Sequence, residues 1–132
     1  MDTQAFPQIS TIIIDDNRDI AKVFEEYLEL CGITVVGVGY DGKDAVDLYQ
    51  KFKPSVVILD VMMPNFDGFY GLEKIKQLDS NAKVIMVTAD TTLRTQERLK
   101  SLGAHSIIYK PIEIEDLFLA ISRAAQLGCV HN

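Results

Sequence analysis

SVVILDVMMPNFDG, residues Ser55 to Gly68, is the stretch whose reading decides the fold. Five residues suited to a buried strand, Ser55 to Leu59, run straight into a carboxylate, Asp60, and a loop with Pro64 and Asp67-Gly68 follows. A continuous apolar run bounded by turn residues reads as a strand covered on both faces, as in a parallel sheet. Asp60 then stands at the carboxyl end of a central strand, where open α/β sheets place their ligands. As a common turn residue it would equally serve to cap the loop, and the neighbouring segments decide between the two.

Upstream, Thr11 to Ile14 is strand-like and ends in Asp15-Asp16. Asn17 or Asp16 can cap a helix running to about Cys31, with Ile20, Val23, Phe24, Tyr27, Leu28 and Cys31 forming one apolar stripe and Gly32 ending it. Ile33 to Val38 is a second strand. Asp41 caps a second helix, with Ala45, Leu48, Tyr49 and Phe52 inward and Pro54 closing it. Downstream, a third helix starts near Asp67-Gly68 and carries Leu72, Ile75 and Leu78. Lys83 to Thr88 is a fourth strand, and a polar helical segment spans about Thr91 to Leu102. Ser106 to Tyr109 is a fifth strand running into Lys110-Pro111. A last helix, about Glu113 to Leu127, carries Leu117, Phe118, Ile121 and Ala125, and residues 128–132 read as a frayed tail.

Strand and helix thus alternate through the chain, the pattern of right-handed βαβ crossovers with helices on both faces of a parallel sheet. The expected class is α/β, a doubly wound five-stranded parallel sheet with five helices, flavodoxin-like. The order 2-1-3-4-5 comes by analogy with known folds of this kind, since the residues alone leave strand order open. It places a switch point between the first and third strands and makes Asp15, Asp16 and Asp60 neighbours.

Composition agrees with one domain over residues 1–132, its core about 10–127, with short tails at both ends. The chain is 48% hydrophobic and 24% charged, as a soluble globular protein is. No apolar run approaches the roughly 20 residues that span a bilayer, and the opening MDTQAFPQIS lacks the basic and apolar regions of a secretory signal. A cytoplasmic protein is expected, without membrane attachment. The net charge of −6 repels phosphate backbones, so direct nucleic-acid binding would need another chain or an appended module. Cys31 reads as a small core residue and Cys129 as part of the tail. Neither they nor His105 and His131 show zinc-ligand spacing.

Three carboxylates at one mouth repel one another; two charges ~4 Å apart cost roughly 4 kcal/mol at an effective dielectric of about 20. An all-oxygen cluster of this kind suits Mg²⁺, which commonly bridges to phosphate, and Mn²⁺ would serve as well. One acid after the first strand explains a helix cap. Two, joined by a third on the next strand over, ask for a cation. Thr88 ends the fourth strand with a hydroxyl able to donate to an anionic oxygen. Lys110 ends the fifth with a compact cation suited to phosphate. Together these groups describe a phosphoryl site with Asp60 as nucleophile. Pro111 makes the Lys110–Pro111 bond a candidate cis peptide.

The set Asp15-Asp16, LDVMMPNFDG around Asp60, Thr88-Ala89 and Lys110-Pro111 resembles the receiver domain of two-component response regulators, over nearly the whole chain. The resemblance implies Mg²⁺-dependent transfer of a phosphoryl group to Asp60 from a sensor histidine kinase or phosphotransfer protein. It implies metal ligation by Asp16, Asp60 and the backbone carbonyl of Met62, with Asp15 acting mostly through water, and a phosphoryl grip by Thr88 and Lys110. Such a protein is no enzyme beyond catalysing its own phosphorylation and dephosphorylation. The face of the fourth helix, fifth strand and fifth helix would control a downstream protein or an appended output domain, or form a homodimer on phosphorylation.

The chain also departs from the family. Receivers carry a switch aromatic three residues before the lysine, where this chain has Ile107; Tyr109 stands two residues on, on the same strand face. The switch is expected to be muted or to use Tyr109, and an exposed, partner-facing Tyr109 is the equal alternative. The fourth helix, with only Leu93, Leu99 and Leu102 large and apolar, is expected to be the mobile element. Met62 and Asp90 flank the path of the hydrolytic water. Met62 should hinder that water and prolong the phosphoryl group's life, and Asp90 could offset this by orienting it. A haloacid-dehalogenase-type phosphatase would need an acid where Met62 stands. A flavodoxin-like cofactor site would want a Ser/Thr/Gly-rich loop after the first strand, and a P-loop its Gly-Lys-Ser/Thr. The remaining rival is a receiver-like binding module that is never phosphorylated.

Overall fold

A computed structural model describes residues 8–125. The elements in chain order are β1 (Ser10–Ile14), α1 (Arg18–Leu30), β2 (Thr34–Gly39), α2 (Gly42–Phe52), β3 (Val56–Asp60), α3 (Gly68–Leu78), β4 (Val84–Thr88), α4 (Leu93–Ser101), β5 (Ser106–Tyr109) and α5 (Ile114–Ala125). The five strands form one parallel sheet in the order β2-β1-β3-β4-β5, as expected. Leu127, Cys129, His131 and the expected tail at 128–132 lie outside the described residues.

The three central strands are buried on both faces, and their side chains divide by alternation. Ile12, Ile14, Val57, Leu59, Val84 and Met86 join a core with Leu72, Ile75 and Leu99 from α3 and α4. Ile13, Val56, Ile58, Ile85 and Val87 pack on the other face with Phe24, Leu28, Leu117 and Ile121 from α1 and α5. Burying such runs on both sides is what fixes the register, because a one-residue slip would exchange the two sets.

The helix starts follow the local chemistry. Asn17 accepts from the N–H groups of Asp19 and Ile20 and caps α1, Asp41 caps α2 through Asp44, and Asp67 caps α3 through Tyr70. Two glycines set close approaches around the start of α3, Gly68 against the sheet and Gly42 of α2 against the α3 cap. A Cβ at Gly68 would run into the Asp60 carbonyl oxygen, and one at Gly42 into that of Asp67. Only a hydrogen fits at either point, so α3 begins directly against the end of β3.

Several helix faces differ from the sequence expectation. The buried stripe of α1 is Ala21, Phe24 and Leu28, while Ile20 and Val23 are exposed, Val23 by half. Cys31 is exposed, not core: it stands at the C-cap, past the last turn that rests on the sheet. Phe52 and Leu78 end α2 and α3 and are exposed too, each standing three residues past the last buried position of its helix, Tyr49 and Ile75. In α4 only Leu99 is buried and Leu93 is exposed. Among the described residues, no helix is long and apolar enough to cross a membrane.

Candidate functional site

The carboxyl ends of β1, β3, β4 and β5 converge on one mouth, and backbone hydrogen bonds lock them together. The Asp15 N–H donates to Gly39 O (3.1 Å), Val61 N–H to Val87 O (2.9 Å) and Lys110 N–H to Thr88 O (2.9 Å). On this frame one carboxylate oxygen each from Asp15, Asp16 and Asp60 lies within 4.8 Å of the others. Asp15 is buried and accepts from the Asn17 N–H at 2.9 Å, whereas Asp16 is exposed at the rim. Asp60 is 3% exposed.

Lys110 Nζ stands 3.0 Å from Asp60 Oδ1. The approach is an ion pair lying off the hydrogen-bond line, for Oδ1 is buried and receives no well-directed hydrogen bond. The Lys110–Pro111 bond is cis. Burial pushes the Asp60 carboxyl up to about 6, with Lys110 pulling it down and Asp15 and Asp16 adding to the rise. Burial also raises Asp15, against the Asn17 N–H and Lys110, with Asp16 adding to the rise.

Three acids therefore stand beside one lysine, and the buried Asp60 Oδ1 lacks a hydrogen bond. That donor set fits a divalent hard cation: oxygen ligands only, excess negative charge, and an open side at exposed Asp16. Asp15, Asp16 and Asp60 are the side chains that would hold it. Met62 follows Asp60 by two residues and is 67% exposed.

Thr88 is buried at the end of β4, and its Oγ1 accepts from the Asp90 N–H at 3.0 Å. The Asp90 carboxylate is engaged on both oxygens: Oδ1 accepts from the Thr92 N–H (2.9 Å) and Oδ2 from the Thr95 hydroxyl (2.7 Å). It thus faces the first turn of α4. Ile107 is half-buried against the core that holds Leu99, while Tyr109 is 36% exposed and pairs in register with Thr88.

Two features carried little signal in the sequence. An apolar groove of about 400 Å³ opens beside Asp15 and Lys110, lined by Ile20, Val23, Pro111, Ile112 and Ile114. Its one sign was the width of the α1 stripe, since Ile20 and Val23 lie beyond the face that Ala21, Phe24 and Leu28 bury. The second is Thr95, whose hydroxyl reaches back to Asp90 from the first turn of α4; a Thr there carries no signal by itself.

An α/β sheet with an acidic cluster at its switch point, and a hydroxyl and a lysine at the two strand ends beyond it, is a doubly wound domain with its polar site at the carboxyl edge of the sheet. The family model described as response regulator receiver domain matches residues 11–122. The chain belongs to that family, and so to two-component signal transduction. Protein CcdB of Bacillus subtilis (strain 168) is 36% identical over 112 residues, which is 85% of this chain and 93% of that protein. The crystal structure of a LuxR-family DNA-binding response regulator from Staphylococcus aureus superposes with a TM-score of 0.82. It is 28% identical and covers 89% of this chain and 98% of its own. The receiver domain of Francisella response regulator 1452 gives a TM-score of 0.85 at 25% identity, over 92% of this chain and 99% of its own. Receiver domains of this family generally bind Mg²⁺ and work with histidine kinases or phosphotransfer proteins and with output domains.

Proposed function

We propose that this receiver takes a phosphoryl group onto Asp60 from a phosphohistidine on a sensor kinase or phosphotransfer protein, with Mg²⁺ or Mn²⁺ at the acidic cluster. The carrying observation is the placement of Asp60, buried, 3.0 Å from Lys110 and within 4.8 Å of oxygens from Asp15 and Asp16. An Asp60 oxygen attacks phosphorus as the P–N bond to the donor imidazole breaks; the leaving nitrogen keeps the electron pair and takes a proton from solvent. The bound cation would neutralise charge developing on the phosphoryl oxygens. Lys110 holds one of those oxygens as a point charge, and Thr88 turns its hydroxyl proton toward another. Asp16, Asp60 and the Met62 carbonyl would hold the cation directly, and Asp15 would act on it mainly through water.

The chain catalyses only its own phosphorylation and dephosphorylation and acts in the cytoplasm. Its output surface is the face of α4, β5 and α5, presented to a downstream protein, an appended output domain or a second copy. The groove of Ile20, Val23, Pro111 and Ile112 receives the donor protein, since it is apolar and opens beside Lys110. The complete acceptor constellation speaks against a module that only binds. The test is incubation with Mg²⁺ and acetyl phosphate, read by intact mass. One phosphoryl group should be taken up, and none by Asp60→Asn; uptake at another residue, or none from any donor, overturns the reading.

A further inference from the structure

We propose that Asp90 is a positioning residue that couples the Thr88 hydroxyl to the first turn of α4 through Thr95, so that α4 loosens when Thr88 turns to the acceptor. The chain of contacts is continuous. Thr88 Oγ1 accepts from the Asp90 N–H at 3.0 Å, and Asp90 Oδ2 accepts from the Thr95 hydroxyl at 2.7 Å. Asp90 Oδ1 accepts from the N–H of Thr92, the N-cap of α4, at 2.9 Å, and Thr92 Oγ1 accepts from the Thr95 N–H at 3.3 Å. The same residue therefore holds Thr88 with its backbone and α4 with both carboxylate oxygens.

The rest of α4 is held thinly. Leu99 is its one buried side chain, and Arg98 lies over the Phe69 ring of α3 at 3.8 Å. A charge-assisted bond at the first turn is then a large share of what fixes the helix. The Asp90 carboxyl lies below its usual range, the Thr95 hydroxyl being the largest cause, as a carboxylate committed to these donors should. Thr88 moves between staggered wells, and a change of well carries its oxygen away from the Asp90 N–H or draws that N–H along. Either way the disturbance arrives at Thr92 and Thr95. The half-buried Ile107 has no side-chain polar atom to bond the Thr88 hydroxyl, whereas the route through Asp90 runs by hydrogen bonds from that hydroxyl into α4.

The trigger rests on phosphorylation of Asp60 as proposed above; the coupling does not, and the two are tested apart. In the full chain without ligand, Thr88→Val, Thr95→Val and the double variant are compared by amide hydrogen exchange across residues 93–101. Each single change should speed α4 exchange on the order of tenfold, and the double variant should exchange no faster than the singles, because both cut one chain. Thr95→Ser should restore the wild-type rate. Thr95→Val should also shift the Asp90 amide resonance, which a helix-local role would leave in place. Multiplying effects, or an α4 indifferent to Thr88→Val, overturns the coupling. In a second arm, beryllofluoride with Mg²⁺ should speed α4 exchange in the wild type and hardly change it in Thr95→Val. Equal acceleration in both overturns the relay. Failure of beryllofluoride to bind either protein overturns the acceptor reading and with it the trigger, while the ligand-free cycle still decides the coupling.

Discussion

Replacing Asp60 with Asn in metal-free protein should stabilise the fold at neutral pH, by an amount set by the acceptor's burial. The carboxyl has its pKa pushed from 3.8 to about 6 with 3% of the residue exposed, so solvent screening takes little from the effect. A shift of about two units corresponds to ~3 kcal/mol between the protonated and ionised forms. The sign follows from the rise: the folded state prefers the protonated acid, so the wild type is most stable below the unfolded-state value near 3.8. It loses that stability as pH climbs through about 6. Asn, uncharged at every pH, has nothing to lose. The gain of the variant should be near zero at pH 4 and reach ~3 kcal/mol at pH 7.5, a rise in Tm of roughly 10 °C for a chain of this size. Urea titrations in EDTA at four or five pH values measure it. Saturating Mg²⁺ should narrow the gap by stabilising the wild type alone. A difference flat with pH, or an Asn variant less stable at pH 7.5, would refute the argument that desolvation dominates at Asp60.

Val23→Glu should slow transfer from a phosphorylated donor protein at least tenfold while leaving uptake from acetyl phosphate unchanged, because a charge in the apolar groove disturbs docking and not chemistry; equal slowing with both donors would put the groove outside the interface. Met62→Asn should shorten the aspartyl-phosphate lifetime several-fold, measured by intact mass after donor removal, and an equal or longer lifetime would dismiss shielding by the exposed thioether. In the unmodified protein, amides of α4 should exchange at least tenfold faster than the core amides of α1, since α4 buries Leu99 alone and α1 buries Ala21, Phe24 and Leu28; matched protection would contradict the thin anchoring of α4.

The strands and the polar residues that end them were legible because they rest on local patterns that burial enforces, whereas the strand order that brings those ends together is non-local and came by analogy. Ile12 to Ile14, Val56 to Leu59 and Val84 to Val87 are too apolar to be anything but buried strands, and each runs directly into a polar residue. The helix faces were less legible. Periodicity groups Ile20 and Val23 with Phe24, but only the packing of α1 decides which of them is covered, and Ile20 and Val23 are left exposed, lining the groove. Cys31 was misplaced for a related reason, as a stripe extrapolated one position beyond the helix meets solvent. Asp90 shows a different limit: a carboxylate two residues after Thr88 has several partners within reach, and its bond to Thr95 exists only once α4 takes its angle.

The segment after the acceptor is clasped at its two ends. Val61 N–H is bonded to Val87 O, and Gly68 N–H closes back onto Val61 O, with the Gly68 Cα pressed against the Asp60 carbonyl. Residue 62 sits between those clasps with its side chain in water. The backbone on either side of residue 62 is thus fixed while its side chain is free to vary, so a substitution there should alter the lifetime of a phosphoryl group on Asp60 and leave the acceptor's own geometry where it was.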